Sequence, residues 1–429
     1  MLWFRKKIDL PDHLNICLIA NKFPILGRSA DHGFLWPIAR GLAERGHNVT
    51  VIAWRNPQGK DRIQQDGVTA YFLGNHGSPL KEFPEEVRIK FLELHEETPF
   101  HIVHSVDFSG FRIGLRKKVY DVAMCYDVEA TQMAKIFNVL AMAQDTLAEI
   151  IHTALSVVSV FLYTYYSRDR KLLKTADGIF VTSPLQKVIL ERYYLFPEYR
   201  TYLVPYGIAI GELKPRSISE ELRDQLNLPK NARTVVTITD MTELEEIKNL
   251  LKAFEKLAIK KNSARLIILG DGPLKNEIEF EMLNMALGSR VIFAGNIPNN
   301  QLADYIALSD VFVNLSSRST GFEPTLLVAM AQKKVIIGSE VSPMSTIVDD
   351  GEDGFLVRPA DFITISNLLI QIFEEHLPTE EIGERAHTKV TELFDTHKMV
   401  DNTITAYYQT LVRTGNYRSS ELLTSPSLA

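Results

Sequence analysis

Few side chains in this chain of 429 residues stand in the spacings that chemistry demands. Cys17 and Cys125 each lie inside an apolar run, far apart and outside any CxxC or zinc-ligand spacing, so neither a disulfide framework nor a metal site is expected. No P-loop, GxSxG or HExxH motif occurs. Three features remain. Gly270-Asp271-Gly272-Pro273 makes a tight turn after an apolar run, a weak signal taken alone. His104 ends another apolar run, where a satisfied core histidine is the ordinary reading. Glu323-Pro324 precedes a helical pattern, where free N–H groups and the helix dipole attract anions. A carboxylate there can fill that role itself, and Glu and Pro are equally good first-turn residues with no function.

The elements that must carry these residues alternate. Asn15–Ala20, Val49–Ala53, Ile102–His104, Val122–Cys125 and Gly178–Thr182 read as fully apolar strands, with a helix over Phe34–Arg45. After Pro205-Tyr206-Gly207 a second series begins: Thr234–Ile238, Arg265–Leu269, Val291–Phe293, Val311–Val313 and Val335–Ile337. Helical patterns lie between them at Ile247–Leu257 and Thr325–Ala331. Apolar strands alternating with helices predict parallel sheets covered on both faces. Two such series predict two doubly wound α/β domains facing a central cleft, with the site at the carboxyl ends of the strands.

Composition narrows the function classes. Apolar residues make up 45% and charged residues 23%, ordinary for a chain that buries a core. The net charge of −6 offers no basic excess for nucleic acid. Two unpaired cysteines fit a reducing, cytoplasmic compartment. Two stretches suggest contact with the inner face of a membrane. Trp3 and Phe4 precede the basic triplet Arg5–Lys7, where a frayed terminus is the ordinary reading and an interfacial anchor the sharper one, and Ile150–Tyr166 carries no formal charge. The second is too short and too interrupted to span, and a buried helix is its favoured reading.

Ordered motifs now add a resemblance. Gly41-Leu-Ala-Glu-Arg-Gly-His-Asn-Val-Thr-Val51, Phe100–His104 and Thr175–Ser183 are similar to the first half of family-4 glycosyltransferases. Gly270–Pro273, Arg290–Gly295, Leu308–Val313, Gly321-Phe322, Ala329–Ala331 and Asp350–Val357 resemble the second half, in order and spacing. The resemblance implies the GT-B fold: an acceptor-side Rossmann-like domain over 14–205 and a nucleotide-sugar-type domain over 206–395. A helix at 396–412 would complete the first, and 413–429 would be a disordered tail.

The same resemblance assigns a donor site and then strips it. Its positions are Gly33, Asp240, Glu245, Lys248, Gly270, Gly272, Gly295, Ile297, Arg318, Gly321, Phe322 and Glu323. The family grips the donor diphosphate with an arginine and a lysine; those positions hold Asp240 and Glu245. Each replacement changes the local charge by two units. Unit charges ~4 Å apart interact by about 1 kcal/mol in water and about 4 at an effective dielectric of 20. Turning two attractions into repulsions costs more than about three decades of affinity. A shorter helix would instead bring Lys248 to the lysine position. The family's two glutamates, near the sugar and the ribose, fall on Thr320 and Val328, neither an anion. On the acceptor side His104 is kept, and a family histidine becomes Glu129.

Three readings follow. A degenerate relative would bind a glycan or protein partner in cell-envelope polysaccharide or glycolipid assembly. An active retaining transferase would use a UDP- or GDP-sugar through an atypical site, with no other cofactor. An enzyme of another class on this fold has no motif to support it. The first is the expectation.

Overall fold

The computed structural model describes residues 9–23, 35–56, 58–74, 77, 79–128, 155, 158–159, 168–209, 214–316, 324–341 and 344–415. The chain divides into two compact units. Unit 1 takes its residues from 1–133, 160–207 and 396–429; unit 2 from 134–159 and 208–395.

Unit 1 is built on an eight-stranded sheet. Its strands are β1 (Asn15–Ala20), β2 (Asn48–Ala53), β3 (Arg62–Gln65), β4 (Val68–Phe72), β5 (Ile102–Ser105), β6 (Ala123–Asp127), β7 (Gly178–Val181) and β8 (Thr201–Leu203). The order is β3-β4-β2-β1-β5-β6-β7-β8, parallel except for the β3–β4 pair. The sequence reading missed that pair, whose β3 is mostly exposed. Its signal was Asp66-Gly67: a two-residue type I′ hairpin loop needs φ > 0 at both positions, and they stand at 49° and 78°. The reading also missed β8 at the opposite edge, a strand of three residues.

The final helix, Thr396–Arg413, belongs to unit 1. It buries Met399, Val400, Thr403, Ala406, Tyr407, Thr410 and Leu411, the three-and-four spacing of one helix face. Two glycines admit it. A Cβ on Gly41 would meet Val400 at 2.5 Å, and one on Gly178 would meet the Thr410 hydroxyl at 2.8 Å. Arg413 closes this helix and donates to the Tyr202 hydroxyl at 2.9 Å, so the tail expected over 413–429 fails at 413; 416–429 lies outside the described residues.

Unit 2 holds a six-stranded parallel sheet. Its strands are β9 (Arg233–Ile238), β10 (Ala264–Leu269), β11 (Val291–Gly295), β12 (Val311–Asn314), β13 (Val335–Ser339) and β14 (Phe355–Val357), in the order β11-β10-β9-β12-β13-β14. Alternate residues serve opposite faces. Val235, Leu266, Ile268, Val311 and Val313 pack under the helices Leu244–Lys260 and Phe362–Phe373. Val236, Ile267, Leu269 and Phe312 pack under Pro324–Ala331 and Thr379–Leu393. Both faces are therefore dry, which is why these strands read as unbroken apolar runs.

Of Ile150–Tyr166 the structure describes Leu155, Val158 and Ser159. Leu155 and Val158 are exposed, so the burial expected of that stretch fails at these two positions. Trp3 and Phe4 lie outside the described residues. Among the described residues no helix is long and apolar enough to cross a membrane.

Candidate functional site

The carboxyl ends of β9 and β10 form the best-defined rim in unit 2. Gly270 has φ +112°, and a Cβ there would run into the carbonyl oxygen of Thr239. Gly272 stands in the same relation to the carbonyl of Asp240. Hydrogen bonds lock the loops: Thr239 N–H donates to Leu269 O at 2.9 Å, Gly270 N–H to Gly295 O at 2.7 Å, and Leu274 N–H to Met241 O at 3.1 Å. Only glycine fits such a backbone approach, and this is the structural content of the Gly270–Pro273 turn.

The chain that leaves β9 is rich in carboxylates, while beside the glycine turn Lys275 stands 4.0 Å from Asp271. Asp240 follows β9 and is exposed; its Oδ1 accepts from the Thr242 amide at 3.2 Å and the Thr242 hydroxyl at 2.8 Å. Glu245, also exposed, lies in the first turn of the helix Leu244–Lys260. Lys248 follows one turn on, but its Nζ sits 3.0 Å from the Glu281 carboxylate. That partner holds the ammonium pKa above its ordinary value. Between 240 and 248 the chain carries Asp240, Glu243, Glu245 and Glu246 against Lys248 alone.

The remaining sequence-assigned positions separate. Val328, on the helix Pro324–Ala331, is 5% exposed and belongs to the apolar cluster that this helix forms with the sheet. Ile297 packs against the same cluster. Gly295 ends β11 with φ +70° and open space where a Cβ would stand. Gly33, Glu129, Arg318, Thr320, Gly321, Phe322 and Glu323 lie outside the described residues.

Unit 1 holds a buried cluster and a cavity. His104, 2% exposed, has Nδ1 2.7 Å from the Tyr407 hydroxyl and Nε2 3.3 Å from Asp127 Oδ2. The Phe180 ring stacks on the imidazole at 4.6 Å. Burial pushes the Tyr407 hydroxyl pKa far up, so it stays protonated. His104 thus sits as a satisfied core residue on its Nδ1 side. Close by in the fold, where β1 and β5 end, is a cavity of about 760 Å³ lined by Asn21, Lys81, Asp107, Phe108, Phe111 and Arg112 among others. Asp107 organises it: one carboxylate oxygen accepts from the Asn21 amide and the other from the Ser109 amide, both at 2.7 Å. Sequence reasoning missed this cavity. Asp107 as a cap before Ser109 was the local signal, but only the β1–β5 pairing brings Asn21 beside it.

Two family models match the chain: "Glycosyl transferase 4-like domain" over residues 34–207 and "Glycosyl transferases group 1" over 218–389. Among curated proteins, the N-acetyl-alpha-D-glucosaminyl L-malate synthase of Bacillus anthracis is 27% identical over 44% of this chain and 49% of its own length. The alpha-monoglucosyldiacylglycerol synthase of Streptococcus pneumoniae is 24% identical over 53% and 50%. The chain thus spans about half the length of these curated relatives. Among solved structures, a sucrose-phosphate synthase from Thermosynechococcus elongatus superposes with a TM-score of 0.74 at 20% identity, covering 94% of this chain and all of that one. Anabaena HepE in complex with UDP-glucose gives 0.68 at 15% identity, covering 94% and 100%. At such identities these likenesses establish the fold.

Proposed function

The chain belongs to the family-4 glycosyltransferases of the GT-B fold, and from that premise we propose that it is a degenerate member that binds a glycan or a protein partner without transferring sugar. One observation supports the reading: Asp240, whose carbonyl faces Gly272, and Glu245 are exposed carboxylates at the two positions that the resemblance assigns to an arginine and a lysine, and Lys248 is tied to Glu281. A diphosphate brought to these positions meets carboxylates. Val328, at a position that the resemblance assigns to a glutamate, is part of the apolar core and offers no acceptor for a ribose hydroxyl.

The relatives suggest the setting. One is named a putative teichuronic acid biosynthesis glycosyltransferase and another a lipopolysaccharide 1,2-N-acetylglucosaminetransferase. Cell-envelope polysaccharide or glycolipid assembly is the corresponding proposal for this chain. A second reading, an active retaining transferase, draws support from the intact glycine cradle and from HepE, whose structure holds UDP-glucose. It would take a UDP- or GDP-sugar as donor.

Thermal melting with UDP, GDP, ADP and CMP and their sugars separates the two. Ligand stabilisation follows RT ln(1 + [L]/Kd), so a site that repels the diphosphate gives no shift. Asp240→Arg with Glu245→Lys should recover nucleotide binding without sugar transfer. A shift of several degrees in the unaltered chain, or donor turnover, defeats the degenerate reading.

A further inference from the structure

Two helices of unit 2, Leu244–Lys260 and Lys275–Asn284, lie side by side on one face of its sheet and bury their inner residues in the same apolar cluster. Lys248 meets Glu281 at 3.0 Å along their first halves. Arg290, just past the second helix, donates to the Ala258 carbonyl and to Asn262 Oδ1 near the end of the first. The helices therefore run in the same direction. Their solvent side carries large apolar tips: Ile259 is 79% exposed, Phe280 63% and Leu283 64%.

Charge on this surface is divided by helix. The first helix places Lys248, Lys252, Lys256 and Lys260 four residues apart, a slowly turning stripe interrupted by Glu255. Lys252 and Lys256 bring their ammonium groups to 5.5 and 5.3 Å from the centre of the Phe362 ring. The second helix carries Glu277 and Glu279 beside Phe280, and its one cation, Lys275, stands at its start near Asp271. Glu281 is already taken by Lys248. Among the described residues Lys256, Lys260 and Glu277 form no ion pair, so both signs remain available.

We propose that this face pairs with the same face of a second copy of the chain about a two-fold axis, the basic helix of each copy lying against the acidic helix of the other. Lys256 and Lys260 would then meet Glu277 across the contact, around Ile259, Phe280 and Leu283. A two-fold contact sets one patch against itself, so it needs a charge and its complement on opposite sides of the axis. The two helices supply that arrangement, and the exposed tips supply an apolar centre. An anionic lipid or polymer fits less well, because Glu277 and Glu279 share the surface with the lysines. The pairing does not depend on whether the donor site works.

Sedimentation velocity of the full chain over a concentration series should show a monomer–dimer equilibrium that weakens as salt shortens the Debye length. Lys256→Glu with Lys260→Glu should weaken the dimer about 100-fold, about tenfold for each reversed contact, which the axis repeats. Glu277→Lys should act likewise. Mixing these two variants should restore a dimer, and so should all three substitutions in one chain, because opposite signs then face each other again. Phe280→Ser with Leu283→Ser should weaken it about 100-fold through lost apolar burial, with no rescue by charge. A chain that stays monomeric throughout the series leaves the face to a foreign partner and overturns the proposal. So does a dimer indifferent to the reversals, or reversals that the mixture fails to rescue.

Discussion

His104 Nδ1 and the Tyr407 hydroxyl lie 2.7 Å apart although 303 residues separate them in the chain. The contact ties the end of β5 to the final helix, with Phe180 of β7 packed against both rings. Tyr407→Phe keeps the ring and removes the hydroxyl, leaving one side of a buried imidazole unpaired. The expected cost is about 1–3 kcal/mol. Tyr407→Ala should cost about 3–5 kcal/mol by opening a cavity as well. Urea unfolding followed by a unit 1 probe measures both, and a Phe variant with an unmoved midpoint contradicts the account.

Three histidines pin the start of β1 and the approach to β5 through Nδ1. Leu14 N–H donates to His47 at 3.0 Å, Asn15 N–H to His101 at 2.9 Å, and Phe100 N–H to His95 at 3.0 Å. An accepting Nδ1 carries no proton. Burial lowers all three pKa values, with the His13 and Arg45 charges adding to the effect at His47. The unfolded chain therefore binds more protons near the ordinary value of 6.5 than the folded one does. This stability is fully present above 6.5 and is lost as pH falls through it towards the lowered folded values. Amide exchange at Leu14, Asn15 and Phe100, corrected for intrinsic rates, should speed up between about pH 7.5 and about pH 5.5. Equal protection at both pH values would refute the coupling.

The glycine cradle makes a ranked prediction. Gly270→Ala meets both a strained φ of +112° and the Thr239 carbonyl, so unit 2 should lose about 3 kcal/mol or more. Gly295→Ala meets a positive φ but open space, and about 1 kcal/mol is expected. Melting of the two variants should keep this order; the reverse order would mean that the close approach to Thr239 is not what Gly270 serves.

Lys389 bridges two carboxylates, Asp349 at 2.8 Å and Asp353 at 2.7 Å. Asp353 is 4% exposed, so Lys389→Met strands a buried charge and should cost about 3 kcal/mol. Adding Asp353→Asn should return part of that loss. A double variant no more stable than Lys389→Met alone would show that the buried charge is not the source of the cost.

Much of the fold was legible because strand signals are local. Thr234–Ile238 and Arg265–Leu269 read as strands from apolar continuity, and the structure extends each by one residue at its start. Asp66-Gly67 could have announced β3 and β4, but short half-exposed strands lack the apolar run that a buried strand shows. The candidate site was legible only in part. Gly270 and Gly272 drew attention as a turn, yet their purpose lies in the Thr239 and Asp240 carbonyls on the neighbouring loop.

By itself the sequence determined which fully apolar runs become strands, the order of the motifs, and the excess of carboxylates over ammonium groups between 240 and 248. These depend on neighbours a few residues apart. The tertiary structure alone decided that Lys248 pairs with Glu281, that Val328 is sealed in the core, that Asn21 meets Asp107, and that Tyr407 meets His104. Residue spacing fixes the face on which a side chain emerges, but strand order and helix packing choose what it meets there. That choice is made by burial of whole faces, and no local pattern carries it.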